Sequence, residues 1–353
     1  MLVLSLILRK LLNYSNSFGR ISELNNIDLR KCLDNLNKSN DDPNDNPLTT
    51  MGINSQYYEI DSFNKLRDTL TGKNNEQLIA LHINIQSLSA KYDQLINLIN
   101  ELKTNHISLD FILICETFLN KYNKELFQIP GYKLVSRNRI NMTRGGVGIY
   151  IKDTIQFKRR SDLDIFVEGE FESVFIETTS TTRKTVVGTI YRPPNTNIGT
   201  SIERYESIFA KLASIDAVIG TDQNFDFLKL ETLNYVANLL NIALSNNMIP
   251  TITKPTRLTS HTSTLIDNMY IKCNKPHSII NSSILVTDIS DHFPIISSIS
   301  YTAINKPTTP VKIEYRKLSP EVIDKINKSL NGRNWNLLLE LSPNNAYNEF
   351  SNI

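Results

Sequence analysis

From about residue 55 onward, short apolar runs alternate with longer stretches of helical periodicity. Leu78-Ile79-Ala80-Leu81-His82-Ile83 has the length and composition of a buried strand. Tyr92, Leu95, Ile96, Ile99 and Leu102 recur at three- and four-residue spacing, which predicts a helix over 91–103 lying on a core. Phe111 to Cys115, Val147 to Ile151, Ser173 to Glu177, Val186 to Tyr191, Ala217 to Ile219 and Ile295 to Ile299 read as further strands, separated by glycine and polar turns. Ile202 to Leu212 and Leu233 to Leu244 read as helices. Many strands with helices between them predict an α/β fold in which helices cover sheets.

The flanking regions break this pattern. Residues 1–54 are rich in Asn and Asp, as in Asn40-Asp41-Asp42-Pro43-Asn44-Asp45-Asn46-Pro47, and have little to bury. A disordered leader is expected there. Residues 55–303 form the expected domain, and 304–353 a helical connector. Ser319 suits an N-cap, Pro320 the first helical position and Glu321 the first turn, and Asn331-Gly332 suits a stop.

Composition narrows the class only a little. Of the 353 residues, 40% are hydrophobic and 21% charged, which permits a sizeable soluble core. A net charge of +2 is close to balance, so a nucleic-acid partner has to rest on local basic patches. Cys32, Cys115 and Cys273 are far apart, which argues against a zinc site or a disulfide framework and for a reducing compartment. Met1 to Leu8 is apolar, but its charges, Arg9-Lys10, follow the run where a signal peptide would place them first, and the run is too short to span a bilayer. Neither secretion nor a membrane partner is expected.

Candidate chemistry clusters at predicted strand ends. Asn84 ends a strand in His82-Ile83-Asn84-Ile85-Gln86-Ser87-Leu88, although Asn is also a common turn residue. The apolar strand Ile112-Leu113-Ile114-Cys115 delivers Glu116, a carboxylate that needs a cation or donors unless it serves a helix N-terminus. Tyr191 closes a strand in Gly188-Thr189-Ile190-Tyr191-Arg192-Pro193-Pro194-Asn195, as a donor or as a strand aromatic with a wet tip. Asp222 and Asn224 are two apart and face one way in an extended segment, able to accept from a water and donate to a phosphate oxygen, or else to form an Asx turn. Asp267 lies in an apolar stretch, where an acid is rarely buried without a partner. His292, next to Asp291, opens another apolar strand. Pairing with Asp267 would hold its ring protonated as a phosphate donor.

Taken together, Asn84, Glu116, Tyr191, Asp222-x-Asn224, Asp267 and Asp291-His292 resemble, in order, the motifs of the endonuclease/exonuclease/phosphatase superfamily. The local segments HINIQSL, ICETFL, RGGVGIYIK, GTIYRPPN, STLIDNMY and ISDHFPI resemble more narrowly the endonuclease of LINE-type (non-LTR) retrotransposons. The resemblance covers about Tyr57 to Ser300. It implies a four-layer α/β sandwich of two facing mixed sheets flanked by helices, as in DNase I-like enzymes. It also implies a Mg²⁺- or Mn²⁺-dependent endonuclease that nicks duplex DNA. Asn84, Glu116 and Asp291 would arrange the metal, Asp222 would orient or activate the water, and Asn224, His292 and Tyr191 would contact the scissile phosphate. Asp267 would hold His292, and Asn195 would add a phosphate contact, with the second proline altering its alignment. A DNA substrate implies nuclear action.

Two departures stand out. Thr221-Asp222-Gln223-Asn224 replaces the Gly-Asp-Phe-Asn of many relatives while keeping both chemical positions. Gln86 stands where AP endonucleases carry a second acid, which leaves the ligand set open. The tail, EYRKLSPEVIDKINKSLNGRNWNLLLEL, resembles the connector that leads to a reverse transcriptase in such elements, and no reverse transcriptase is expected within these 353 residues.

DNA contacts are expected from Arg137, Arg139 and Arg144 before the Gly145-Gly146 turn, and from Lys158, Arg159 and Arg160, unless these are solvated basic loops. Two alternatives to a DNA nuclease carry forward: a phosphatase or lipid phosphodiesterase acting on a small substrate, and an inactive element product that only binds DNA.

Overall fold

The computed structural model describes residues 53–70, 77–179, 184–259, 262–274 and 278–301, with Leu48 and positions 324, 325, 327, 328, 341, 342 and 345. The chain divides into two compact units, residues 1–303 and 304–353. In chain order the first contains β1 (Gln56–Tyr58), α1 (Phe63–Leu70), β2 (Gln77–Asn84), α2 (Leu88–Thr104), β3 (Phe111–Cys115), β4 (Tyr132–Arg137), β5 (Val147–Lys152), β6 (Phe157–Arg159), β7 (Phe166–Val167) and β8 (Phe171–Thr178). It continues with β9 (Thr185–Tyr191), α3 (Ile198–Lys211), β10 (Asp216–Asp222), α4 (Asn234–Ser245), β11 (Ile249–Pro250), β12 (Arg257–Leu258), β13 (Ser263–Thr264), β14 (Asp267–Lys272), β15 (Ile279–Leu285) and β16 (Ile295–Ser300).

Two mixed sheets pack face to face. One has the order β1-β15-β16-β2-β3-β5-β4, and the other β11-β14-β10-β9-β8-β6 with β7 paired to β8. Strands β2, β3 and β5 of the first lie against β8, β9 and β10 of the second. Side-chain alternation explains why the predicted strands read as continuous apolar runs: both faces of the first sheet are covered. Ile79, Leu81, Ile83, Ile112, Ile114 and Ile296 face outward onto α1 and α2 and pack with Leu66, Leu70, Leu95, Leu98, Ile99 and Leu102. Ala80, Phe111, Leu113, Cys115 and Ile149 face inward onto Val174, Ile176, Val187 and Val218 of the second sheet. Leu95 is fully buried in the outer cluster, so Leu95→Ala should cost about 2–5 kcal/mol. The α/β sandwich expected from the sequence is the observed architecture, and most predicted elements lie within two or three residues of their observed bounds.

This topology brings the chemistry together. β2 and β3 run parallel with Asn84 beside Cys115, so Glu116 emerges next to Asn84. β9 and β10 run parallel with Tyr191 beside Asp222, and antiparallel β14 places Asp267 on the other side of Asp222.

The expected leader falls outside the described residues except Leu48, Ile53 and Asn54, as do Ser319, Pro320, Glu321, Asn331 and Gly332 of the expected connector helix. In the second unit Asp324 and Lys328 are helical and pair across one turn at 2.7 Å. Among the described residues no helix is long and apolar enough to cross a membrane.

Candidate active site

Asn84 Nδ2 donates to Glu116 Oε1 at 2.8 Å and to Asp222 Oδ2 at 2.8 Å, which ties the two sheets together. Asn224 Nδ2 donates to Asp222 Oδ1 at 2.9 Å and to the Arg192 carbonyl at 2.9 Å. The Tyr191 hydroxyl stands against Glu116, and burial followed by the charge of that carboxylate raises its pKa. His292 Nδ1 lies 2.8 Å from Asp267 Oδ2, and Thr256 Oγ1 donates to the same oxygen at 2.7 Å. Asp222, Asp267 and His292 present ligand atoms that all lie within 4.8 Å of one another. Ser290 Oγ donates to the Asn84 carbonyl at 2.7 Å, which ties the His292 segment to β2.

The turns that carry these groups are held in conformations that side chains usually avoid. Gln86, Ser87, Glu116, Phe118, Asn195 and Asn224 all have φ between +48° and +94°. Each such residue costs of order 1–3 kcal/mol, so neighbouring bonds must hold it. Around Glu116 they are visible: Ser87 N donates to the Glu116 carbonyl at 2.9 Å, and Thr117 N and Phe118 N donate to Gly146 and Gly145 carbonyls at 3.2 and 2.8 Å.

Electrostatics separates the acids. Burial pushes the Asp222 carboxyl well above the usual carboxylate range, and the charge of Asp267 adds to the rise. Burial also opposes ionisation of Asp267, but the charge and hydrogen bond of His292 prevail and hold its carboxyl below that range. Burial opposes a charge on His292, and Asp267 more than offsets it, lifting the imidazole to about 9. The His292 ring is therefore cationic at neutral pH and unsuited to bind a metal. Asp222, Asp267 and His292 have the spacing of a metal site, and in the structure Asp267 occupies Nδ1 of His292. A hard divalent cation is better matched to oxygen donors. Glu116 is a partly exposed carboxylate at the site, Asn84 is an amide beside it, and Asp291 Oδ1 is buried without a hydrogen-bond partner. That donor set fits Mg²⁺ or Mn²⁺.

Of the residues singled out in the sequence, Asn84, Glu116, Tyr191, Asp222, Asn224, Asp267 and His292 form one connected cluster. Asp291 borders it, with Oδ1 3.9 Å from His292 Nε2 and Oδ2 2.7 Å from Arg257 Nε. Asn195 is exposed. The basic residues diverge. Arg139 is almost buried and pairs with Glu172, and Arg137 reaches Asp164 at 3.6 Å with its guanidinium 4.7 Å over Phe166. Lys158, Arg159 and Arg160 pair with Glu177, Asp164 and Asp162 at 3.2, 2.7 and 2.8 Å. Arg144 is exposed. The expectation that all six face DNA is thus restricted by carboxylate partners that sequence spacing did not reveal. Missed altogether were Thr256 and Arg257, whose only signal is the Pro-Thr-Arg run, and Arg192, hidden in plain view between Tyr191 and two prolines.

No family model and no curated protein matches the chain. Solved structures do. The endonuclease domain of TRAS1, a telomere-specific non-LTR retrotransposon, superposes with a TM-score of 0.50 at 14% identity, covering 64% of this chain and 100% of that domain. An endonuclease/exonuclease/phosphatase family protein from Bacteroides thetaiotaomicron aligns at 13% identity over 65% of this chain and 100% of its own, with a TM-score of 0.46. An AP endonuclease from Archaeoglobus fulgidus aligns at 13% identity over 62% of this chain and 98% of its own, also with a TM-score of 0.46. Facing mixed sheets, flanking helices and the likeness to the TRAS1 domain agree: the chain has the endonuclease/exonuclease/phosphatase fold.

Proposed function

We propose that the chain is a divalent-metal-dependent phosphodiesterase that nicks duplex DNA, as the endonuclease of a LINE-type retrotransposon does in target-primed insertion. The observation that carries the reading is the convergence of Asn84, Glu116, Tyr191, Asp222, Asn224, Asp267 and His292, drawn from six separate strands and turns, on one site. A structure with that fold, the TRAS1 domain, is an endonuclease by its description. In this reading Asn84 and Glu116, with Asp291, hold Mg²⁺ or Mn²⁺, which when bound supplies positive charge to the phosphate and the leaving oxygen.

The remaining work falls to the protein's own groups. Asp222, raised by burial and tied to Asn84 and Asn224, accepts the proton of the attacking water. The His292 imidazolium, oriented by Asp267, donates to a non-bridging phosphate oxygen and offsets the charge gathering there. Tyr191 supplies a neutral donor, Asn224 does so by releasing one of the two amide hydrogens that serve Asp222 and the Arg192 carbonyl, and Arg144 and Asn195 reach the flanking DNA. DNA is the partner in this reading and the nucleus its place of action.

Supercoiled plasmid with Mg²⁺ tests it. Conversion to open circle is expected, with loss on adding a chelator and in Asp222→Ala and His292→Ala. Hydrolysis of small phosphate esters with an intact plasmid would favour the phosphatase reading. Plasmid binding with no nicking above the two variants would mark the product as inactive.

A further inference from the structure

Arg192 is 4% exposed, and among the described residues no carboxylate pairs with it. A buried cation without a counter-ion is costly, so its hydrogen bonds must compensate. All its acceptors are neutral and lie in three separate turns. Nη1 donates to the Gln223 and Asn224 carbonyls at 3.3 and 3.2 Å, Nη2 to the Thr196 carbonyl at 3.1 Å, and Nε to Ser201 Oγ in the first turns of α3 at 3.3 Å. The guanidinium lies 4.2 Å over the ring of Phe225, itself buried. The main chain of Arg192 reinforces the junction. Its N–H donates to the Asp222 carbonyl at 2.9 Å, and its carbonyl accepts from Asn224 Nδ2 at 2.9 Å.

The bonds of Nη1 and Nη2 end on turns that need holding. Asn224 sits at φ +48°, a left-handed conformation that Asn adopts at a cost. In that conformation its side chain donates to Asp222 Oδ1 at 2.9 Å. Thr196 belongs to the turn that carries Asn195, also left-handed at φ +63°. A planar fork of five N–H donors can serve carbonyls in several directions at once, whereas a lysine ammonium is a single point.

We propose that Arg192 is the positioning residue of the site, its forked guanidinium rather than its charge locking the 222–224 turn so that Asp222 and Asn224 face the phosphate together. This rests on the phosphodiesterase reading for its effect on catalysis, but the locking itself does not. Arg192 touches no substrate in this scheme. A role in turn geometry lowers kcat and spares KM, whereas a phosphate contact raises KM.

The test compares Arg192→Lys and Arg192→Met with the unaltered chain by plasmid nicking and by hydrogen–deuterium exchange over 221–226. Both variants should lose about 10²-fold in kcat, the scale of a 1 Å misplacement, with KM within about threefold. Exchange should quicken over 221–226 and stay unchanged in β2 and β3. Guanidinium ion at millimolar concentration should restore part of the lost rate in Arg192→Met and do nothing for the unaltered chain. An Arg192→Lys enzyme with full kcat, or a defect confined to KM, overturns the proposal. If neither variant folds, Phe225→Leu removes the ring beneath the guanidinium and keeps every acceptor. Slower turnover with faster exchange over 221–226 then supports the lock, and unchanged exchange overturns it. Should the unaltered chain not cut DNA at all, the exchange arm still decides the locking, and only the reading of the reaction falls.

Discussion

Oδ2 of Asp267 receives two groups at once, Nδ1 of His292 at 2.8 Å and the hydroxyl of Thr256 at 2.7 Å. The imidazole is charged because that carboxylate is, so Asp267→Asn keeps the shape and removes the reason for the charge. Nicking should fall by roughly 10²–10⁴-fold, the usual worth of a positioned proton donor. Thr256→Ala removes a bond to that charged oxygen, worth about 1.5–3 kcal/mol, and the bond its hydroxyl accepts from the Asp267 amide, but leaves His292 paired and should cost less than Asp267→Asn. Single-turnover rates on plasmid measure both. An Asp267→Asn enzyme as fast as the unaltered chain would take the pair out of the chemistry.

Arg139 and Arg144 lie five residues apart and call for opposite expectations. Arg139 shares Glu172 with the Gly146 and Gly169 amides, at 2.6 and 3.1 Å, inside the protein. Removing one partner of a buried pair typically costs about 3–5 kcal/mol, so Arg139→Ala should lower the urea midpoint sharply. Arg144 is exposed, and Arg144→Glu should leave that midpoint in place while lowering the salt dependence of DNA binding by about one phosphate contact. Equal unfolding midpoints for the two variants would reverse the assignment.

Lys272 is a buried ammonium in β14 whose Nζ donates to the Ala213 and Asn246 carbonyls at 2.6 and 3.0 Å. These carbonyls lie just past the ends of α3 and α4, where helix dipoles leave negative partial charge. Lys272→Met keeps the apolar stem and drops two charged hydrogen bonds. A loss of about 2–4 kcal/mol is expected by chemical denaturation, from bonds worth about 1.5–3 kcal/mol each less the relief of desolvation. A change under 0.5 kcal/mol, the scale of ordinary surface substitutions, would show that the helix ends need no cation.

What was legible in the sequence follows from the same physics. Runs such as Phe111 to Cys115 announce themselves because a strand covered on both faces must be apolar throughout. β15 did not, because Asn281, Ser282 and Ser283 interrupt it. Yet Ser282 Oγ meets Ser297 Oγ at 2.7 Å on the neighbouring strand, a pairing that exists only in three dimensions. β4, at the sheet edge and only half buried, gave no clear alternation either. Site residues at strand ends were visible because a polar group abruptly closes an apolar run, as Glu116 and Asp222 do. Arg139 misled because its spacing to Arg137 and Arg144 says nothing about Glu172, thirty-three positions away and hydrogen-bonded to it.

His82 offers a test of the site's interior by pH. Its ring is fully buried on the inner face of β2, neither nitrogen has a partner in good hydrogen-bond geometry although the Leu113 and Thr221 backbone lies near it, and Nε2 lies 4.0 Å from Asp267 Oδ1. A Cβ on Gly220 would come within 2.6 Å of Nδ1, so the ring packs where only glycine leaves space for it. Burial lowers its pKa from 6.5 to about 4, with the charge on His292 adding to the fall and Asp267 opposing it. The folded value is below the unfolded one, so the unfolded chain binds the proton first as pH drops. Stability from the neutral ring is therefore complete above pH 6.5 and is lost as pH falls from 6.5 toward 4, by roughly 3 kcal/mol. In His82→Leu this part of the acid limb should vanish. The fold at pH 7 should survive, because an apolar side chain of similar volume forfeits no hydrogen bond there. Urea unfolding of both chains in chelator, from pH 7.5 to 4.5, reads the difference directly. Parallel losses across that range would mean that the ring is not held neutral between the sheets.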